Sequence, residues 1–198
     1  MKRKLAILGA LLATHLAFGQ GTFVYDQQSS DPSRPVTEDK LLFYQAPWPV
    51  QSFTPSLTGI GFIQLWGMDA AYGTQLAVNL RANSPDGAVL GTTSTVILPG
   101  RTNYTGPLTF LFSSEILLES GNLYYMEPFI VKPASFGVSC GINAWIYGYT
   151  RGRLYIPGDP LRLGYDLWFR EGIVVPEPGT MALVLLGASC FIWRRRRQ

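Results

Sequence analysis

The stretch QLAVNLRANSPDGAVLGTTS, residues 75–94, decides the fold. Leu76, Val78 and Leu80 fall on one face, with Gln75, Asn79 and Arg81 nearly opposite. Successive side chains of a strand point to opposite faces, so this pattern predicts a half-buried β-strand. Ser84-Pro85-Asp86-Gly87 then supplies turn chemistry and closes a hairpin with the β-branched run that follows. Outward from this pair the texture repeats: short β-branched and aromatic runs separated by Gly, Pro, Asn and Asp. The predicted strands are Thr22–Tyr25, Leu41–Tyr44, Ile60–Trp66, Gln75–Ala82, Val89–Leu98, Leu108–Phe112, Leu123–Val131, Asn143–Thr150 and Tyr165–Arg170. Ser29–Thr37 is polar and proline-bearing, a surface loop; Ser113–Ser120 holds one helical turn or crosses between sheets. No stretch of the body keeps a helical period over three turns. The fold class is therefore all-β, a two-sheet antiparallel β-sandwich with a jelly roll as the specific expectation.

The two ends have a different character. Residues 1–19 begin with Lys2, Arg3 and Lys4 and continue as an apolar stretch to Phe18, the anatomy of a secretory signal helix. Small residues at Ala17 and Gly19 place the cut between Gly19 and Gln20. At the other end, residues 176–198 hold Pro176, Glu177 and Pro178, an apolar run from Met181 to Trp193, and Arg194, Arg195, Arg196 and Arg197. The run is a short transmembrane helix: thirteen residues rise only about 20 Å against a hydrocarbon core of about 30 Å. Flanking Gly179, Thr180, Trp193 and the arginines narrow that gap by reaching into the headgroup zone. The arginines stay cytoplasmic by the positive-inside rule. Pro176 and Pro178 keep Val175 and Glu177 out of helical geometry, leaving an extended segment that a peptidase can engage. A retained anchor, with prolines that only mark the helix start, fits the same residues. The domain organisation expected is a signal peptide at 1–19, a sandwich at 20–175 and a sorting or anchor segment at 176–198.

Val175-Pro176-Glu177-Pro178-Gly179, the apolar MALVLLGASCFIW and Arg194–Arg197 together resemble the PEP-CTERM sorting signal of exopolysaccharide-producing bacteria. The resemblance implies transient recognition by an exosortase, a membrane-embedded cysteine transpeptidase-like enzyme, and removal of the tail near Pro176–Pro178. The signal helix at the other end implies export through the Sec machinery, the C-terminal helix implies brief residence in the inner membrane, and the resemblance implies delivery to the cell surface, outer membrane or extracellular matrix. The segments QSFTPSLTGIGFIQLWG, LAVNLRANSPDGAVLGTTS and TFLFSSEILLESGNLYYMEPFI resemble the carbohydrate-binding-like jelly rolls of exported bacterial proteins, which bears on fold more than on ligand.

Removing both ends changes the charge. Sixteen basic residues become nine, thirteen acids become twelve, and the body carries −3 rather than the formal +3 of the whole chain. A nucleic-acid partner, which needs a basic patch, loses support. The one histidine, His15, leaves with the leader. His-dependent nucleophile arrangements and His-ligated zinc are thereby absent from the body. Cys190 leaves with the tail, so Cys140 stands alone as a small apolar residue. The expectation is a protein without catalytic residues, cofactor or metal site.

Three features remain as candidates. In Ala144–Tyr149, a strand would project Trp145, Tyr147 and Tyr149 to one face, a row suited to stacking on sugar rings. An aromatic core layer uses the same alternation. Asp69, Asp86, Glu115, Glu119, Glu127, Asp159, Asp166 and Glu171 are carboxylates that a glycan hydrolase or lyase would need in pairs, or that simply face solvent. No Asp-x-Asp-x-Asp calcium run occurs. Arg151, Arg153, Arg162 and Arg170 gather late in the chain, as a site for acidic polysaccharide or as guards on edge strands.

Overall fold

The computed structural model describes residues 21–30, 40–43, 48–68, 73–98, 105–133, 140–146, 148–156 and 164–176. The signal helix, its Gly19–Gln20 junction, the transmembrane helix, Glu177, Pro178, Arg194–Arg197 and Tyr147 lie outside them. The described residues fall into two units, one running from Tyr25 to Ile173 and one holding the chain ends up to Val24 and from Val174.

Every regular element described is a strand. The first sheet runs in the order β1 (Thr22–Ser29), β13 (Phe169–Val175), β4 (Gly59–Met68), β10 (Cys140–Trp145) and β12 (Asp166–Leu167). In that sheet β2 (Lys40–Phe43) pairs with β10, and β8 (Thr105–Leu117) pairs with β4. The second sheet is ordered β11 (Leu154–Tyr155), β3 (Val50–Phe53), β9 (Tyr124–Lys132), β5 (Gln75–Ala82) and β6 (Val89–Thr92), with β7 (Val96–Ile97) on β5. The registers are antiparallel in both sheets. Two antiparallel sheets around one apolar layer make the expected sandwich.

That layer follows from the alternation. Leu76, Val78 and Leu80 of β5 and Met126 of β9 are wholly buried from one side; Ile63, Leu65, Phe110 and Phe169 are wholly buried from the other. Phe53 and Phe169 meet across the interior with ring centroids 6.4 Å apart. Burying side chains of this size stabilises the fold by roughly 1.5–3 kcal/mol each. On the outer face of β5, Asn79 lies opposite Glu127, whose Oε2 accepts from Asn79 Nδ2 and from Arg81 Nε and Nη2, all within 2.9 Å. Arg81 Nη1 also donates to the Gly87 carbonyl at 2.8 Å, which ties the 84–87 turn to the strand it follows.

Several boundaries differ from the sequence expectation. β5 has the expected ends, and β9 begins and ends within a residue of its own. The predicted Val89–Leu98 strand is two pieces, β6 and β7, because Thr93 turns inward: its N–H donates to the Val78 carbonyl and its Oγ1 accepts from Val78 N. Ser113–Leu117 is neither a helical turn nor a crossing but the end of the 13-residue β8. Its register shifts opposite Ile60 and Phe62, and a shift of this kind hides a strand from a period-two reading. β3, with four residues between Pro49 and Pro55, was too short and proline-flanked to be predicted. β10 stops at Trp145 instead of reaching Thr150. Gly148 takes φ +70°, left-handed backbone that glycine adopts freely and that ends a strand.

In the unit formed by the chain ends, Gly21 packs on Val174 and Val175. A Cβ at Gly21 would come within 2.6 Å of the Val175 carbonyl oxygen, so the close approach requires glycine there.

Candidate functional site

The aromatic row does not form on one strand. Trp145 ends β10, half-buried, with its ring edge-to-face on Tyr165 at 5.9 Å. Tyr149 lies beyond the left-handed Gly148 and packs edge-on against core Phe169 at 5.1 Å. Its hydroxyl accepts from Thr54 N and donates to Gln27 Oε1, both at 3.4 Å. Burial pushes its phenol up to about 12, and nearby Glu171 adds to the rise. Tyr149 is thus a wedge that fastens its segment to the core.

A polar network surrounds it. Asp26 Oδ2 accepts from the amides of Ser56 at 2.6 Å and Leu57 at 2.8 Å, while Oδ1 accepts from Gln27 Nε2 at 3.1 Å. Gln27 Nε2 and Arg151 Nη1 both donate to Ser56 Oγ, at 3.0 and 2.7 Å. On the far side of Tyr149, its amide donates to Asp166 Oδ2 at 3.1 Å, and Gln51 Nε2 donates to Asp166 Oδ1 at 3.1 Å. Gln51 Oε1 in turn accepts from Leu167 N at 2.9 Å. Burial raises Asp166, and its bonds to Gln51 and Tyr149 oppose that rise. Buried polar atoms demand partners, and here strands distant in sequence supply them.

Glu171 is the exception. It lies opposite Ile63 on the inner face of the first sheet, fully buried, with no well-formed hydrogen bond to either carboxyl oxygen. Burial, then the charge of Asp26, push it up to about 8, against the opposing pull of the Gln27 amide and Arg151. The carboxyl is therefore neutral at pH 7.

The remaining candidates disperse. Glu127 is bound to Arg81 and Asn79; Glu119 accepts from Asn122 Nδ2; Asp86 stands exposed in the hairpin turn. The Arg153 backbone holds the segment after Tyr149 against β3 by exchanging bonds with Ser52, and Arg151 bonds to Thr54 and Ser56 just beyond that strand. Arg170 lies elsewhere, on the outer face of the first sheet. Asp69, Asp159 and Arg162 lie outside the described residues. Among the described residues, no three acidic, histidine or cysteine side chains gather as a metal-binding group.

Two sets of residues escaped sequence reasoning. Asp26 and Gln27 gave no signal beyond their place in an alternating strand. The other set is aromatic: Trp66 and Trp168 pack edge-to-face at 5.1 Å, and the Arg170 guanidinium sits 4.9 Å from Trp168 and 5.4 Å from Tyr25. Tyr25 continues the ladder edge-on to Phe62 at 5.5 Å. The alternation Phe62-Gln64-Trp66 in GFIQLWG was its only linear trace.

Comparison with protein families matches residues 174–197 to the PEP-CTERM protein-sorting motif. No curated protein matches the chain.

Proposed function

We propose, from the premise that a chain ending in a PEP-CTERM protein-sorting motif is an exported protein sorted by an exosortase, that its sandwich is a non-catalytic surface or matrix component. The body associates noncovalently with exopolysaccharide or other envelope glycans. The observation that carries this reading is the placement of the motif: it begins within β13, so the sandwich is the cargo that the tail delivers. Support for the ligand comes from half-buried aromatic side chains, Trp145 among them, whose faces suit the C–H faces of pyranoses. The jelly-roll likeness to exported carbohydrate-binding-like domains points the same way. The leader is cut between Gly19 and Gln20 after Sec export, and the tail near Pro176–Pro178 at the membrane.

Two measurements test it. Intact mass of the protein from its own host is expected to show loss of both ends; a full-length mass in the cytosol overturns the sorting. Pull-down with the host's extracellular polysaccharide is expected to retain the processed protein. Absence of retention removes the ligand and leaves a structural envelope protein.

A second reading, a carboxylate-based glycan hydrolase or lyase, has one observation in its favour. Glu171, held neutral beside the charge of Asp26, is the kind of acid–carboxylate pair such chemistry uses. Its full burial leaves no approach for a glycosidic oxygen, which favours binding over cleavage. Release of reducing ends from the host polymer, abolished by Glu171→Gln, would reverse that preference.

A further inference from the structure

The registers of β4 with β8 and β13 place Phe62, Gln64, Trp66, Thr109, Leu111 and Arg170 on the face of the first sheet turned away from the core. Arg170 is the one charge among them. We propose that this face binds a carboxylate-bearing polysaccharide, with pyranose rings on Tyr25 and Trp66 and a uronate carboxylate on Arg170. The inference rests on the polysaccharide reading above and assigns it a site and a class of sugar.

Arg170 is prepared for that role. Trp168, itself buried, lies on one side of the guanidinium and Tyr25 on another. Its Nε donates to Ser30 Oγ at 3.3 Å, and among the described residues no carboxylate pairs with it. A guanidinium held in this way loses little freedom when it meets a carboxylate, and its planar fork matches two oxygens. Phe62 and Gln64 are buried on this face and Trp66 is half-buried with its Nε1 inside, whereas Tyr25 is 45% exposed, so the ring surface open beside the charge is chiefly that of Tyr25. The net charge of −3 on the body does not forbid an acidic polymer, because charges more than about 8 Å away are screened at physiological salt.

The test is affinity electrophoresis of the processed protein in gels containing polygalacturonate or the same polymer with its carboxyl groups reduced. Retardation by polygalacturonate alone is expected, lost at about 0.5 M salt. Arg170→Gln weakens it roughly tenfold, Arg170→Lys less, and Tyr25→Ala several-fold. Ile97→Ala, an exposed position on the second sheet, leaves it unchanged. Near-UV circular dichroism establishes that each variant is folded. Equal retardation by the reduced polymer overturns the acidic specificity, and retardation indifferent to Arg170→Gln overturns this face. Retardation by neither polymer overturns the inference, while retention on the host polysaccharide decides the broader reading separately.

Discussion

A carboxyl group inside a sandwich core has a measurable consequence. Glu171 has its pKa raised from 4.5 to about 8, so the folded chain keeps a proton that the unfolded chain releases above pH 4.5. Stability is greatest below that lower value and falls as pH rises, by up to ~1.4 kcal/mol per pH unit, until the folded group ionises near 8. Glu171→Gln is expected to flatten this slope and to melt well above the parent at pH 8–9. Equal pH dependence of the two melting temperatures would show that Glu171 does not control it. Tyr149 offers a contrast, because its hydroxyl is held by Thr54 and Gln27 rather than left alone. Tyr149→Phe keeps the ring on Phe169 and removes those bonds, costing about 0.5–1.5 kcal/mol in urea titration. Polysaccharide retention by that variant is expected to match the parent, because the ring is a core contact.

Among the elements, the β5–β6 hairpin was the most legible, and the reason is local. Alternation over Leu76, Val78 and Leu80 and a Ser-Pro-Asp-Gly turn both act within a few residues. Arg81 adds a nonlocal tie, joining the turn at Gly87 to Glu127 on β9. Arg81→Met is expected to cost roughly 1–3 kcal/mol, since it leaves the partly buried Glu127 without its charged partner. Amide exchange should quicken first in β6, whose residues are mostly exposed. The segment after β10 was misjudged for an equally local reason. Alternating aromatics suggested that the strand continued, but a single left-handed glycine turns the chain at residue 148. Gly148→Ala keeps the space, with nothing within 4 Å, yet costs about 1 kcal/mol because alanine resists that backbone angle.

For the whole molecule, sorting and folding are written in different ways. Glu177→Gln together with Pro178→Ala is expected to leave the tail attached, read as a heavier intact mass and as protein retained in the membrane fraction. Normal processing of that double variant would show that the Pro-Glu-Pro segment is not what the exosortase reads. The sequence by itself determined the C-terminal sorting motif, the strand texture and the interior face of β5. Each of these depends on residues close together in the chain: a linear peptide, a turn, a period of two. Only the tertiary structure decided that Gln27 meets Tyr149 and Gln51 meets Asp166, partners 122 and 115 residues apart. It also decided that Tyr25, Trp66, Trp168 and Arg170 share a ladder. Period two assigns a side chain to a face, but the neighbours on that face are set by strand order. Strand order is fixed by which distant pairings bury the most apolar surface once the loops between them close.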